Sequence, residues 1–288
     1  MVVREYDNAQ AYLDDYETNL LENEPVSQLI LYNAYQVREG STKEDISFGA
    51  VLDEGDFPLI HYCITPTYNM PIYAENEDKD KIIKASAQLA KHLADKKISI
   101  MGLNARYEVC QAFASEYKKH IESNFIEKLG MDIMVLRELN YVDLIEGTAR
   151  FASMDEVKLI TEWMIEFQIE SRASVINYED ALHNAKKYIE DNRVYVFEDT
   201  QQEVVSMAIA TRKLANGIAI SNVYTPEEFR GKGYAASNIF YMCKDILDKG
   251  YKFTTLFVDK KNLISNRSYE KLGFQIVDNN YDFQLVLS

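Results

Sequence analysis

The chain has 288 residues, of which 47% are hydrophobic and 27% charged, with 11 Gly and 5 Pro. That length favours two domains, and the composition excludes a disordered, collagen-like or low-complexity chain. A formal charge of −15 argues against a nucleic-acid partner, because gripping a phosphate backbone needs clustered basic residues, and it favours a cationic ligand instead.

In chain order, the start, MVVREYDNAQAYLDDYE, lacks the apolar core of a secretory signal. No apolar run approaches the ~18 residues of a membrane span, so a cytoplasmic protein with no membrane partner is expected. ETNLLENEPVSQLILYN has helical periodicity, and FGAVLDEGDFPLIHYCITP and NMPIYA read as strands. KIIKASAQLAKHLADK is a predicted helix, ISIMGL a strand and VCQAFASEYKKHI another helix. Between NMPIYA and the next helix lies AENEDKDK, an acidic stretch that would repel phosphate.

The second half repeats this rhythm. DEVKLITEWMIEFQIES places Val157, Ile160, Trp163, Met164 and Phe167 at helical spacing, and YEDALHNAKKYIED continues as a second helix. VYVFED and EVVSMAIATRK flank a polar TQQ turn as a hairpin, and GIAISNVYT adds a third strand. After TPEEFRGKGYAAS comes a helix with Ile239, Phe240, Cys243, Ile246 and Leu247 on one face, ending at Gly250. The strand KFTTLFVD, the polar loop KKNLIS, a short helix around NRSYEKLG and the β-rich segments FQIV and YDFQLVL complete the chain. The class expected is α/β with a mixed sheet. The domains expected are residues 1–146, an α/β domain that is a candidate degenerate copy, and residues 147–288. Charge is lopsided: 14 basic against 26 acidic residues, net −12, up to Gly147, and 17 against 20, net −3, after it. The acidic first half could therefore draw in an amine, or merely keep the protein soluble.

Cys63, Cys110 and Cys243 are widely spaced and form no CxxC pattern, so core thiols are expected rather than a disulfide framework. The four histidines show no metal-ligand spacing, and no metal is expected.

TPEEFRGKGYAAS carries the most chemistry. Gly231 and Gly233 let backbone N–H groups turn toward a ligand, and the following helix directs its positive end at the same point. Arg230 and Lys232 add positive charge, so the stretch reads as a phosphate cradle as well as a tight turn. It fits neither GxxxxGK[ST] nor GxGxxG.

RGKGYA matches the [Q/R]xxGx[G/A] acyl-coenzyme A motif of the GNAT superfamily of N-acetyltransferases, with Arg230 first, Gly233 fourth and Ala235 sixth. Downstream, Asn262 is followed seven residues later by Tyr269 and then by Gly273-Phe274, which resembles that superfamily's second signature. The resemblance covers about residues 147–288. It implies a GNAT-type acyl-CoA N-acyltransferase fold whose central strands splay around acetyl-CoA, with no metal. By that resemblance Val223, Tyr224 and Thr225 line the pantetheine arm. Residues 230–235, that is Arg230, Gly231, Lys232, Gly233, Tyr234 and Ala235, seat the pyrophosphate, and Asn262, Ser265 and Asn266 flank the cofactor.

The implied reaction is transfer of acetyl to a primary amine, small and cationic by the charge argument, through direct attack in a ternary complex. A backbone N–H near Val223 would hold the oxyanion, and Tyr269 would protonate the departing sulfur, a phenol being neutral at pH 7, or else simply pack its short helix onto the sheet. Glu162, Glu166, Glu170 and Glu179 lie on segments that border the substrate in this fold, without singling out a base. The alternative is a non-catalytic acyl-CoA-binding regulatory module.

Overall fold

The computed structural model describes residues 1–42, 45–75, 78–172 and 176–287. Two compact units make up the chain, one of residues 1–133 with 277–288 and the other of residues 134–276. The expected division was 1–146 and 147–288, and the packing follows strand pairing instead. The last segment pairs antiparallel with residues 102–105, Tyr281 opposite Ala105 and Gln284 opposite Gly102, and so joins the first unit.

The first unit runs β1 (Val2–Tyr6), α1 (Ala9–Glu22), α2 (Glu24–Arg38), β2 (Ser47–Leu52), β3 (Pro58–Ile64), β4 (Met70–Ala74), α3 (Lys79–Asp95), β5 (Gly102–Ala105), α4 (Tyr107–Tyr117) and β6 (Ser123–Leu136), whose last three residues belong to the second unit. The second runs β7 (Thr148–Phe151), α5 (Val157–Ser171), α6 (Tyr178–Glu190), β8 (Val194–Glu198), β9 (Val204–Lys213), β10 (Gly217–Tyr224), α7 (Tyr234–Asp248), β11 (Phe253–Asp259), α8 (Leu263–Leu272) and the start of β12 (Gln275–Leu287). Strand order is β1-β2-β3-β4-β5-β12-β6 in the first unit and β6-β11-β10-β9-β8-β7 in the second.

Period-2 alternation builds the cores. In β2, Phe48, Ala50 and Leu52 face α1 and α2, whereas Val51 faces the cluster of Leu89, Leu93 and Phe113 from α3 and α4. The second unit repeats this: Val194, Val196, Met207 and Ile209 pack with Ile160 and Trp163 of α5, and Tyr195, Ala208, Ile218 and Ile220 pack with Ile239, Met242 and Cys243 of α7. All three cysteines are free and buried. Among the described residues, no helix is long and apolar enough to cross a membrane.

Several expectations change. The predicted strand ISIMGL begins only at Gly102 and runs on to Ala105 as β5. The predicted helix ETNLLENEPVSQLILYN is two helices that break at Asn23 (φ −127°, ψ 47°), because Pro25 carries no N–H and is accepted only in the first turn of a new helix. FQIV and YDFQLVL are one strand, β12. Of the acidic stretch 74–81, residues 76 and 77 lie outside the described residues, and Asp78 caps α3 by accepting the N–H groups of Asp80 and Lys81 at 3.1 and 3.3 Å.

Candidate functional site

The site grows from β10. It pairs in parallel with β11 only through Gly217↔Phe253, Ile218↔Thr254 and Ala219↔Thr255, so the two strands part toward their C-terminal ends. On its other edge the register with β9 slips between Ser221 and Tyr224, leaving Asn222 and Val223 together opposite Ala208. This is a β-bulge, marked by Asn222 at φ +49°. Bulges re-aim backbone and side chains at the point where pairing stops.

After Thr225 the chain makes a short 3-10 turn, Glu227–Phe229, and enters α7 through Arg230-Gly-Lys-Gly233. Gly231 (φ +76°) has open space where a Cβ would stand. Gly233 (φ +90°) has Ile145 Cγ1 only 2.8 Å from that point. No side chain caps α7, so the first-turn N–H groups behind the glycine loop have no capping acceptor. Across the parting strands, Asn262 begins α8 by accepting the Ser265 N–H at 3.1 Å. Asn266 is buried and its Nδ2 donates to the Asp259 and Asn262 carbonyls at 2.9 and 2.8 Å, fastening the turn from β11 into α8.

These elements enclose a cavity of about 550 Å³. Of the residues singled out in the sequence, Val223, Tyr224, Thr225, Arg230, Gly231, Gly233, Tyr234, Ala235, Asn262, Ser265 and Tyr269 line it. Lys232 does not, its ammonium lying 5.4 Å from the centre of the Phe229 ring, and neither does Asn266, which is buried on the inner side of α8's first turn. Tyr269 is half-buried, with its ring edge-on to Phe274 at 5.6 Å. Burial pushes its phenol well above the ordinary tyrosine value, with the neighbouring Cys243 sulfur adding to the rise. Phe167, Ile239, Ile264 and Ser268 also border the cavity. Ile264 stands one place before Ser265 in a stretch that reads as a polar loop, so periodicity gave no signal for it.

Arg230 is engaged. Its Nε donates to the Thr225 carbonyl at 2.8 Å, and its Nη2 donates to both oxygens of Glu170 at 2.7 and 2.8 Å. Glu170 also lines a second cavity, of about 690 Å³, together with Glu166, Glu203, Glu227 and Glu228. Trp163, Tyr224 and Phe229 are among its aromatic walls, with Trp163 and Tyr224 at 5.9 Å between centroids. Burial and the Glu166 and Glu170 carboxylates hold the Tyr224 phenol above its ordinary value. Glu170, Tyr224 and Phe229 border both cavities. Glu227 and Glu228 are exposed and also wall this cavity; Glu162 and Glu179 do not. Its carboxylates all come from the second unit, not from the more acidic first half of the chain.

A structure of a GNAT-family acetyltransferase from Colwellia psychrerythraea matches at a TM-score of 0.56 and 10% identity, over 99% of this chain and 100% of that one. The fold is that of the GNAT acetyltransferases. A GCN5-related N-acetyltransferase from Sphaerobacter thermophilus matches this chain at a TM-score of 0.58 and 12% identity over 88% of this chain and 85% of that one. A Drosophila protein matches at 0.68 and 12%, over 99% and 98%. Residues 200–282, which span β10, the glycine loop, α7 and α8, match the family model described as FR47-like protein. No curated protein matches. Identities this low establish the GNAT fold over both units.

Proposed function

We propose that the protein is an acetyl-CoA-dependent N-acetyltransferase whose acceptor, a small cationic molecule, attacks the thioester carbonyl directly through a primary amine in its neutral form, within a ternary complex. The observation that carries this reading is the 550 Å³ cavity, which gathers the bulged end of β10, the glycine loop, the start of α7 and Tyr269 around one space. The residues present suit an acyl-coenzyme A. The uncapped start of α7 and the two positive-φ glycines offer backbone donors to a pyrophosphate. The strand edge exposed where β10 leaves β11 suits the amide-bearing pantetheine arm, which would lie along Val223, Tyr224 and Thr225. When bound, the thioester supplies the activated acyl group, and the remaining chemistry belongs to the protein.

At the bulge, the N–H of Val223 is the candidate donor to the developing oxyanion, a preorganised dipole that needs no reorganisation during reaction. Tyr269 is the proton donor to the leaving sulfur. Its phenol is raised by burial, which would weaken it as an acid against a thiol in water. The same rise keeps the phenol protonated at neutral pH, the form a proton donor needs. The acidic cavity, with Glu166, Glu203, Glu227 and Glu228 around aromatic walls, suits a cationic acceptor and disfavours an anionic one.

Calorimetric titration of coenzyme A into the protein is the first test. Saturable binding that is lost in Gly233→Val, a substitution that drives a branched side chain into Ile145, is the expected result. Equal binding by both proteins would remove the glycine loop from the site. Failure of the wild-type protein to bind would reject the reading.

A further inference from the structure

Arg230 is the guanidinium that the motif aims at the phosphates, and in the structure Glu170 already holds it. Both carboxylate oxygens accept from Nη2, and the Nε contact with the Thr225 carbonyl pins the guanidinium at the entry to the glycine loop. A carboxylate placed there presents the same paired anionic oxygens that a phosphate would present. Arg230 and Glu170 keep 42% and 50% of their side-chain surface exposed, so solvent screens the pair and it is weak. A pyrophosphate carries more charge and also meets the amides at the start of α7, so it wins the competition for Arg230.

We propose that Glu170 is an internal competitor for the cofactor's phosphates, occupying Arg230 in the free protein and giving way to them when an acyl-CoA binds. This rests on the acyl-CoA reading above. Its consequence lies in the second cavity. Because Glu170 lines both spaces, its release from Arg230 leaves an unneutralised carboxylate in the acidic wall only when the cofactor is seated. A cationic amine then binds the loaded protein better than the free one, and by linkage the amine strengthens cofactor binding by the same factor. Glu170 is thus a positioning residue that couples the two binding spaces.

The test is a double-mutant cycle read by calorimetric titration of coenzyme A into wild type, Glu170→Gln, Arg230→Gln and the double variant. Glu170→Gln keeps the size of the side chain and removes its charge, and should tighten coenzyme A about 5-fold, the upper range for an exposed pair. In the Arg230→Gln background the same change should have almost no effect, whereas a merely structural Glu170 would act alike in both backgrounds. Glu170→Asp, with its shorter reach, should tighten binding in the same direction. Unchanged or weaker binding by both Glu170 variants, or an equal gain without Arg230, would overturn the proposal while leaving the acyl-CoA reading intact. A wild-type protein that binds no coenzyme A would remove both.

Discussion

At the residue scale, Tyr269 and the two loop glycines make separable claims. Tyr269→Phe removes the hydroxyl and keeps the ring against Phe274, so it should lower kcat about 10²-fold while changing coenzyme A affinity little. Unchanged turnover would refute the acid role. Gly231→Ala meets open space and costs only the left-handed backbone, about 1 kcal/mol. Gly233→Ala adds a contact at 2.8 Å with Ile145, which must move, so it should destabilise more than Gly231→Ala in urea unfolding. Equal midpoints would show that Ile145 yields freely. The site was legible at this scale wherever a residue type is demanded by backbone geometry or by the motif spacing, as for Gly231, Gly233, Asn262 and Tyr269. It was not legible where a side chain chose a partner from another element: Arg230 found Glu170, Lys232 found Phe229, and Asn266 turned inward to carbonyls.

At the element scale, helices with a strong 3.6-residue stripe, such as α3, α6 and α7, stand where the sequence puts them. Strands β1, β6 and β7 carried no such signal, because they are short or half-exposed and interleave charged residues, as SNFIEKLGMDIMVL in β6 does. The acidic cavity escaped notice for a related reason. Glu166 and Glu170 share a face of α5 with Trp163, but Glu203 and Glu227 arrive from a strand start and a turn far along the chain. One network ties β7 to the start of α5. Arg150 donates to both oxygens of Glu156 at 2.9 and 2.7 Å and to Glu198, while Glu156 closes a capping box with Ser153. Arg150 holds the Glu156 carboxyl below the usual carboxylate range. A depressed folded value contributes stability above the unfolded pKa of ~4.3, and that contribution is lost as pH falls through the folded value. Glu156→Gln should therefore be less stable than wild type at pH 7, with the gap closing as pH falls below about 4. A gap independent of pH in urea unfolding would assign the effect to packing instead.

At the scale of the whole molecule, the element order β-α-α-β-β-β-α-β-α-β occurs twice, from β1 to β6 and from β7 to β12. The sequence suggested this repeat by rhythm alone, and the GNAT fold matches span 99% of the chain. It could not show that the end of β12 pairs in the first unit, because strand partners are set by packing and not by local pattern. The two copies differ where chemistry is expected. The helix after β10 is uncapped and follows two positive-φ glycines, whereas the helix after β4 is capped by its own Asp78 carboxylate, which supplies an anion where the other copy leaves donors open. Coenzyme A should therefore bind once per chain, and a calorimetric stoichiometry of two would show that the first unit kept a cradle. The central claim, amine acetylation by the second unit, is tested most directly by following free thiol released from acetyl-CoA across a panel of primary amines of differing charge. The account predicts saturable, amine-dependent release that favours cationic amines and falls sharply in Tyr269→Phe; tight acetyl-CoA binding without amine-dependent release would contradict it.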